Sequence, residues 1–271
     1  MRLGVIGLRS RHANFFRNAI STQFPGGEHT VTHICGLDAP ELLPSCRGLT
    51  VCRQPQELIR SVDAVAIVLR DGGQHAELAE LCLKEKKPVF VDKPFTHAVE
   101  DALRIQKTAL QTGTPCTGGS TICFTQEVRH LAGKLPCQGS YTLSYQADPF
   151  SPFGGWHFYG SHLTDLCVTL FGRGWQSAAA QLQGSKLRAV VHYPRFSVSL
   201  RSSPVKQPPV LQMDDRSYVL DDQGCYQAGM VHFLSVAEGA ALGRVGELVS
   251  SVRLMDAILT SLREGGRPCP G

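Results

Sequence analysis

Three consecutive segments in the N-terminal half constrain the fold most. Residues 62–69 (VDAVAIVL) form an almost unbroken apolar run of strand length, and residues 76–85 repeat apolar side chains at intervals of three and four. Residues 89–91 form a second apolar run that passes straight into Asp92-Lys93-Pro94. Strand, helix and strand in that order make a βαβ unit, and strands without polar alternation belong in a parallel sheet covered on both faces. Open sheets of this kind take their ligands at the carboxyl ends of the strands. Lys93 is therefore delivered where chemistry is done, although a solvated charge leaving a strand has the same local sequence.

The flanking segments extend the pattern. Residues 2–6 and 30–35 read as strands, with a helix over 11–21 and the loop Phe24-Pro25-Gly26-Gly27 between them. A short helix over 55–60, a helix over 98–112 ended by Gly113, and a last strand over 114–118 complete an α/β domain at residues 1–119. Beyond Ser120 the pattern changes to a helix over 126–135 and alternating segments at 140–146, 187–192, 196–201 and 218–220. Residues 230–264 are helical with a weak break near Gly243, stopped by Gly265-Gly266-Arg267-Pro268. The expected fold class is α/β: a doubly wound parallel sheet, then a smaller α+β domain at 120–271 with a mostly antiparallel sheet.

A chain of 271 residues with 42% hydrophobic content supports two modest cores. The net charge of +4 is scattered rather than gathered into a basic, aromatic-laced stripe, which argues against nucleic acid. Ten cysteines show neither C-x-x-C pairing nor zinc-ligand spacing, and several fall inside expected strands or helices as small buried hydrophobes do, so no metal is expected. A strand two residues after Met1 and the lack of any membrane-length apolar run give the expectation of a soluble, cytoplasmic protein.

Four segments in this order carry a family resemblance: GVIGL at residues 4–8, VDAVAIVL at 62–69, KKPVFVDKP at 86–94 and GGWHFYGSHLTDLCVTLFG at 154–172. With them the chain resembles, end to end, the Gfo/Idh/MocA (glucose-fructose oxidoreductase, inositol dehydrogenase, rhizopine catabolism) oxidoreductases. The resemblance implies an N-terminal Rossmann domain, a nicotinamide cofactor, a small polyol, sugar or related substrate, and homo-oligomers formed through the C-terminal sheet. It also implies catalytic roles for Lys93, which follows Asp92 in place of the family's usual glutamate, and for His162 as proton donor and acceptor. Pro94 fixes the exit of this segment, with a cis peptide one way of doing so.

At the cofactor end, the three glycine places of a dinucleotide turn fall on Gly7, Arg9 and His12, so the first alone matches. Gly4 and Gly7 also suit an ordinary strand and turn. The loop Gly7, Leu8, Arg9, Ser10 and Arg11 still leads into a helix N-terminus, which favours an anion, with two arginines and a serine available to it. Asp38 stands near the place of the acid that accepts ribose hydroxyls, which disfavours a 2′-phosphate, whereas Arg9 or Arg11 could welcome one, so the cofactor is NAD or NADP with NAD weakly preferred; capping the Ala39-Pro40-Glu41 turn is the alternative role of Asp38. Asp92 and Lys93 complete the expected cofactor contacts.

At the substrate end, His162 and Asp165 are three apart on a helix and can share a face. Four residues before His162, many relatives carry an aspartate; here Phe158 stands, with His157 or Tyr159 as compensating candidates unless strand-like alternation turns them away. Trp156, Phe158 and Tyr159 suit a sugar cleft and core packing equally. His75 lies where the family's substrate-side loop begins, and Arg70 either binds a substrate carboxylate or leaves its strand into water. The changed glycines and Phe158 support a rival of another class, a non-catalytic member that binds a ligand or partner.

Overall fold

The computed structural model describes residues 1–38, 46, 48–136, 138–203 and 206–271. Contacts divide the chain into two compact units, Met1–Thr121 with Gly224–Gly246 and Ile122–Gln223 with Glu247–Gly271.

The first unit is built on six parallel strands: β1 (Arg2–Ile6), β2 (Thr30–Cys35), β3 (Thr50–Cys52), β4 (Ala64–Ile67), β5 (Val89–Asp92) and β6 (Cys116–Gly119). Their spatial order is β3-β2-β1-β4-β5-β6, which reverses between β1 and β4 and so creates the switch point at which such sheets open a crevice. Every residue of β4 and β5 is buried, as their unalternating sequences require. Helices α1 (His12–Gln23), α2 (Pro55–Ser61), α3 (His75–Lys84) and α4 (Val99–Thr112) connect the strands. On α1 the buried side chains are Ala13, Phe16, Ala19 and Ile20, a single apolar stripe.

In the second unit, α5 (Gln126–Leu131), β7 (Gly139–Gln146) and α6 (Trp156–Phe171) precede the strands β8 (Ser177–Gln183), β9 (Lys186–His192), β10 (Phe196–Ser203), β11 (Val210–Met213) and β12 (Arg216–Val219). The chain then passes through α7 (Cys225–Ala237), which belongs to the first unit, and ends with α8 (Val245–Arg263) and β13 (Cys269–Pro270). The second sheet runs β12-β11-β7-β10-β9-β8-β13, with β7 and β10 parallel and the remaining neighbours antiparallel. One face is buried, through Tyr141, Leu143, Ala178, Ala180, Ala189, Val191, Val198 and Leu200. The helices are tied to this sheet by polar bonds as well: Ser261 Oγ on α8 accepts from the Ala180 amide of β8 at 2.8 Å.

The fold is the expected one, a parallel Rossmann sheet followed by a mixed, mostly antiparallel sheet, with differences in detail. Residues 224–246 return to the first unit, where Phe233 of α7 packs edge-on against Phe90 of β5 at 5.7 Å, so a single boundary near residue 120 does not describe the units. The helical stretch after Met230 is two helices, α7 and α8. Strands β3, β8, β11 and β13 add to those read from the sequence. β3 has three residues and β13 two, while β8 opens with Ala-rich SAAAQLQ and lacks β-branched residues. The Ala39-Pro40-Glu41 turn lies outside the described residues. No helix among the described residues is long and apolar enough to cross a membrane.

Candidate functional site

The loop after β1 is a tight turn that only glycine can make. Gly7 has φ +103°, its N–H donates to Cys35 O at 2.9 Å, and a Cβ there would lie 2.9 Å from the Leu69 backbone nitrogen. Beyond it, the N–H groups of Leu8 and Arg9 donate to the two carboxylate oxygens of Asp38, at 2.7 and 3.2 Å. Asp38 therefore reaches the loop although it lies three residues past the end of β2, and its carboxylate is held where two fixed dipoles favour its charge. Ser10 is buried, and its hydroxyl accepts from the His12 N–H at 3.2 Å, which opens α1; Arg9 and Arg11 are exposed. The turn glycine and the acid beside it suit the adenosine end of a dinucleotide, while Arg9 and His12 change the other two glycine places.

His12 is where this site departs most from expectation. Its ring does not lie idle at the helix start: Nδ1 is 2.5 Å from Asp92 Oδ2, and Nε2 is 3.1 Å from the Tyr226 hydroxyl. Asp92 is 2% exposed, with its Oδ1 buried and without a hydrogen-bond partner. Burial works against its charge, but the His12 charge and hydrogen bond and the neighbouring Lys93 outweigh that, and Asp92 titrates below the ordinary carboxylate range. Neither His12 nor Tyr226 was a site candidate from sequence. The signal was present for His12 alone, as the odd residue at the third glycine place; Tyr226 sits in no motif.

Lys93 leaves the end of β5 4% exposed, and its peptide to Pro94 is cis. Burial pushes its ammonium down to about 8, opposed by the Asp92 charge and assisted by Arg70. A lysine in this range can hold or release a proton near neutral pH. Its surroundings are fixed by His75, which corrects the sequence reading: His75 is fully buried and sits between Phe95 O and Leu69 O, each 3.1 Å from a ring nitrogen. Burial pushes its pKa down, so the ring is neutral and its one N–H donates to one of the two carbonyls; packed between the exit of β4 and the segment after Pro94, it is a brace and no substrate ligand. Arg70 is half-buried after β4, and its charge bears on Lys93.

In the second unit, α6 carries His162, 9% exposed, with its ring edge-on to Tyr145 of β7 at 5.2 Å. Asp165, 3% exposed, accepts a short hydrogen bond from Ser251 Oγ of α8, and Ser251 also lies 2.9 Å from Thr164 Oγ1. Asp165 thus joins two helices. Residues 156–159 form the first turn of α6, not an alternating strand. Trp156 is 2% exposed and lies across the helix backbone at Gly160, where a Cβ would fall 2.3 Å from the indole, so core packing is the role the structure gives it. Phe158 packs against Phe153 and Tyr159, with ring centroids 5.0 and 4.8 Å apart; His157 and Tyr159 are half-buried. Among the described residues no cluster of His, Cys, Asp and Glu could hold a metal ion.

Comparison with known proteins bears on the fold and on the N-terminal domain. Residues 1–120 match the Gfo/Idh/MocA model, described as an oxidoreductase family with an NAD-binding Rossmann fold. An inositol 2-dehydrogenase of Mycolicibacterium gilvum is 35% identical over 78 residues, 28% of this chain; the match spans 22% of that protein's length. The structure of myo-inositol dehydrogenase from Lactobacillus casei in complex with NAD(H) and myo-inositol superimposes with a TM-score of 0.82 at 13% identity, covering 100% of this chain and 96% of that one. A probable dehydrogenase from Thermotoga maritima gives 0.80 at 16% identity, covering 100% and 98%. These two likenesses are likenesses of fold. Residues 1–120 are thus similar to the NAD-binding Rossmann domain of the Gfo/Idh/MocA oxidoreductase family.

Proposed function

We propose that the protein is a nicotinamide-dependent oxidoreductase that interconverts a secondary alcohol and a ketone on a small polyol, sugar or related compound, with NAD preferred over NADP. The observation that carries this reading is Lys93: a lysine nearly excluded from water at the carboxyl end of a Rossmann strand, with its proton held near pH 8. Gly7 and Asp38 are the residues that would hold the adenosine end of the cofactor, Asp38 by accepting from ribose hydroxyls, which disfavours a 2′-phosphate. When bound, the nicotinamide supplies the hydride acceptor or donor. Lys93 keeps positive charge at the substrate oxygen and can take or return its proton, and His162 serves as the second proton-handling group. The relative that binds NAD(H) and myo-inositol supports a polyol as the first substrate to try. Oligomerisation through the outer face of the second sheet belongs to the same proposal.

Titration of NADH and NADPH fluorescence tests the cofactor claim. NADH binding is expected to be the tighter, and Asp38→Ala should narrow or reverse that preference. Lys93→Met should bind NADH within about threefold of the wild type yet lose at least about a hundredfold in turnover, the scale of a general acid–base contribution. Arg9, His12 and Phe158 support the binding-protein rival. That rival prevails if NADH binds and no compound in a polyol and sugar panel is turned over; absence of binding to either cofactor defeats the oxidoreductase reading.

A further inference from the structure

Asp92 is a buried acid whose neighbours on the strand explain where it points. Alternate residues of β5 face opposite sides of the sheet, and Phe90, two residues earlier, packs against Phe16 of α1 and Phe233 of α7. Asp92 shares that face and meets the same two helices, through His12 at the start of α1 and Tyr226 in the first turn of α7. A carboxylate with 2% exposure and one unpartnered oxygen requires a donor on the other. His12 is that donor. If Nδ1–H donates to Asp92, Nε2 of a neutral ring is an acceptor, and the Tyr226 hydroxyl supplies its proton. Aromatic packing fixes the phenol: Tyr226 stacks on Phe15 at 4.6 Å and 25°, and meets the His12 ring edge-on at 5.1 Å and 62°. A glycine at position 12 would leave Asp92 without this partner, so the changed fingerprint and the buried acid are one feature.

We propose that His12, oriented by Tyr226, is a positioning residue of the lysine motif: it holds Asp92 as a fixed carboxylate beside Lys93. The inference rests on the oxidoreductase reading for its use but not for its existence. The titratable and charged groups that face this pair are His12 from α1, His75 from α3 and Arg70 beyond β4, with Tyr226 from α7 acting through its hydrogen bond to His12. Of these neighbours, Asp92 is the one that supports the charge of Lys93, while burial and Arg70 oppose it. If Asp92 became neutral, the lysine would lose that support.

The experiment is carboxyl carbon-13 NMR of the full chain labelled at aspartate, with the Asp92 signal identified by its loss in Asp92→Asn, together with nitrogen-15 NMR of the histidine rings. Asp92 should titrate below the ordinary carboxylate range in the wild type and in His12→Asn, whose amide can replace the Nδ1 donor. In His12→Ala the midpoint should rise, because burial is then opposed by Lys93 alone. Tyr226→Phe keeps the stack on Phe15 and removes only the hydroxyl; Asp92 should still hold the proton on Nδ1, while the nitrogen-15 shift of Nε2 should move as that nitrogen loses its donor. In the active enzyme, His12→Ala should lower kcat about tenfold below the new Asp92 midpoint with little change in KM, and His12→Asn should restore it. Identical Asp92 titrations in folded wild type and His12→Ala overturn the proposal. Should His12→Ala not fold, an Nε2 nitrogen-15 shift unchanged by Tyr226→Phe overturns it instead. A wild type that turns nothing over defeats the oxidoreductase reading alone, since the NMR measurements need no substrate.

Discussion

Single residues carry the two motifs in unlike ways. Lys93 is held by burial and by charge, whereas Gly160 serves by having no side chain at all. The indole of Trp156 lies so close that a methyl group at position 160 would fall within 2.3 Å of it. Gly160→Ala should therefore cost about 1–3 kcal/mol of folding stability, the usual scale of overpacking, despite alanine's better helix propensity. Urea denaturation of Gly160→Ala in the wild-type and Trp156→Leu backgrounds checks this: the cost should largely vanish once the indole is gone, and a cost unchanged by Trp156→Leu would place the strain elsewhere. Sequence made Gly160, His162 and Asp165 legible as a motif. It did not reveal that Asp165 is bonded to Ser251, because a partner 86 residues away leaves no local pattern. His75 was misread for the same reason, since a histidine at a helix start looks available until the carbonyls of Leu69 and Phe95 are placed against it.

Among the elements, β4 and β5 were the easiest to read, because a strand buried on both faces has an apolar sequence with no alternation. The edge strands β3 and β13 were missed because two or three residues set no period. The break read near Gly243 falls between α7 and α8, but α7 was assigned to the second unit, since its apolar face records that it is buried but not against what. Its place in the first unit has an energetic consequence. Phe233 is 1% exposed and contacts Phe90, which is itself fully buried and in edge contact with Phe16. Truncation to Phe233→Ala should cost about 3–5 kcal/mol. Residues 1–121 produced alone should bind an apolar dye and lack a cooperative melt, and joining 224–246 to them by a flexible linker should restore one. A fragment 1–121 that melts cooperatively without α7 would show the helix to be dispensable to that core.

For the whole molecule, the buried ionisable groups set how stability follows pH, and they pull in opposite directions. On the acid side, buried Asp92 titrates below the ordinary carboxylate value, so its contribution is present above that value and is lost as pH falls through its folded midpoint; the exposed Asp63 and Asp71, screened by solvent, add a smaller loss in the same direction. His75, pushed down by burial, adds to the loss below its ordinary 6.5, because the unfolded chain takes up the proton first. Lys93 is lowered from 10.5 to about 8; between those values the unfolded chain holds more protons, and stability rises with pH. The thiols work against it. Burial pushes Cys35 up to about 11 and Cys116 and Cys167 up to about 12 from 9.0, and raises Cys82 as well, so above pH 9 the unfolded chain sheds protons that the folded one keeps. Each pH unit of such a difference is about 1.4 kcal/mol for one group, and four thiols outweigh one lysine. Under reducing conditions, stability should therefore rise gently from pH 8 to 9 and fall steeply beyond. Lys93→Met should remove the rise, so that the difference between wild type and variant changes by about 3 kcal/mol between pH 8 and 10.5. Urea midpoints across that range decide it: parallel curves for the two proteins would mean that Lys93 titrates in the folded chain as it does in the unfolded one, and its candidacy as a proton-handling group near neutral pH would fall with it.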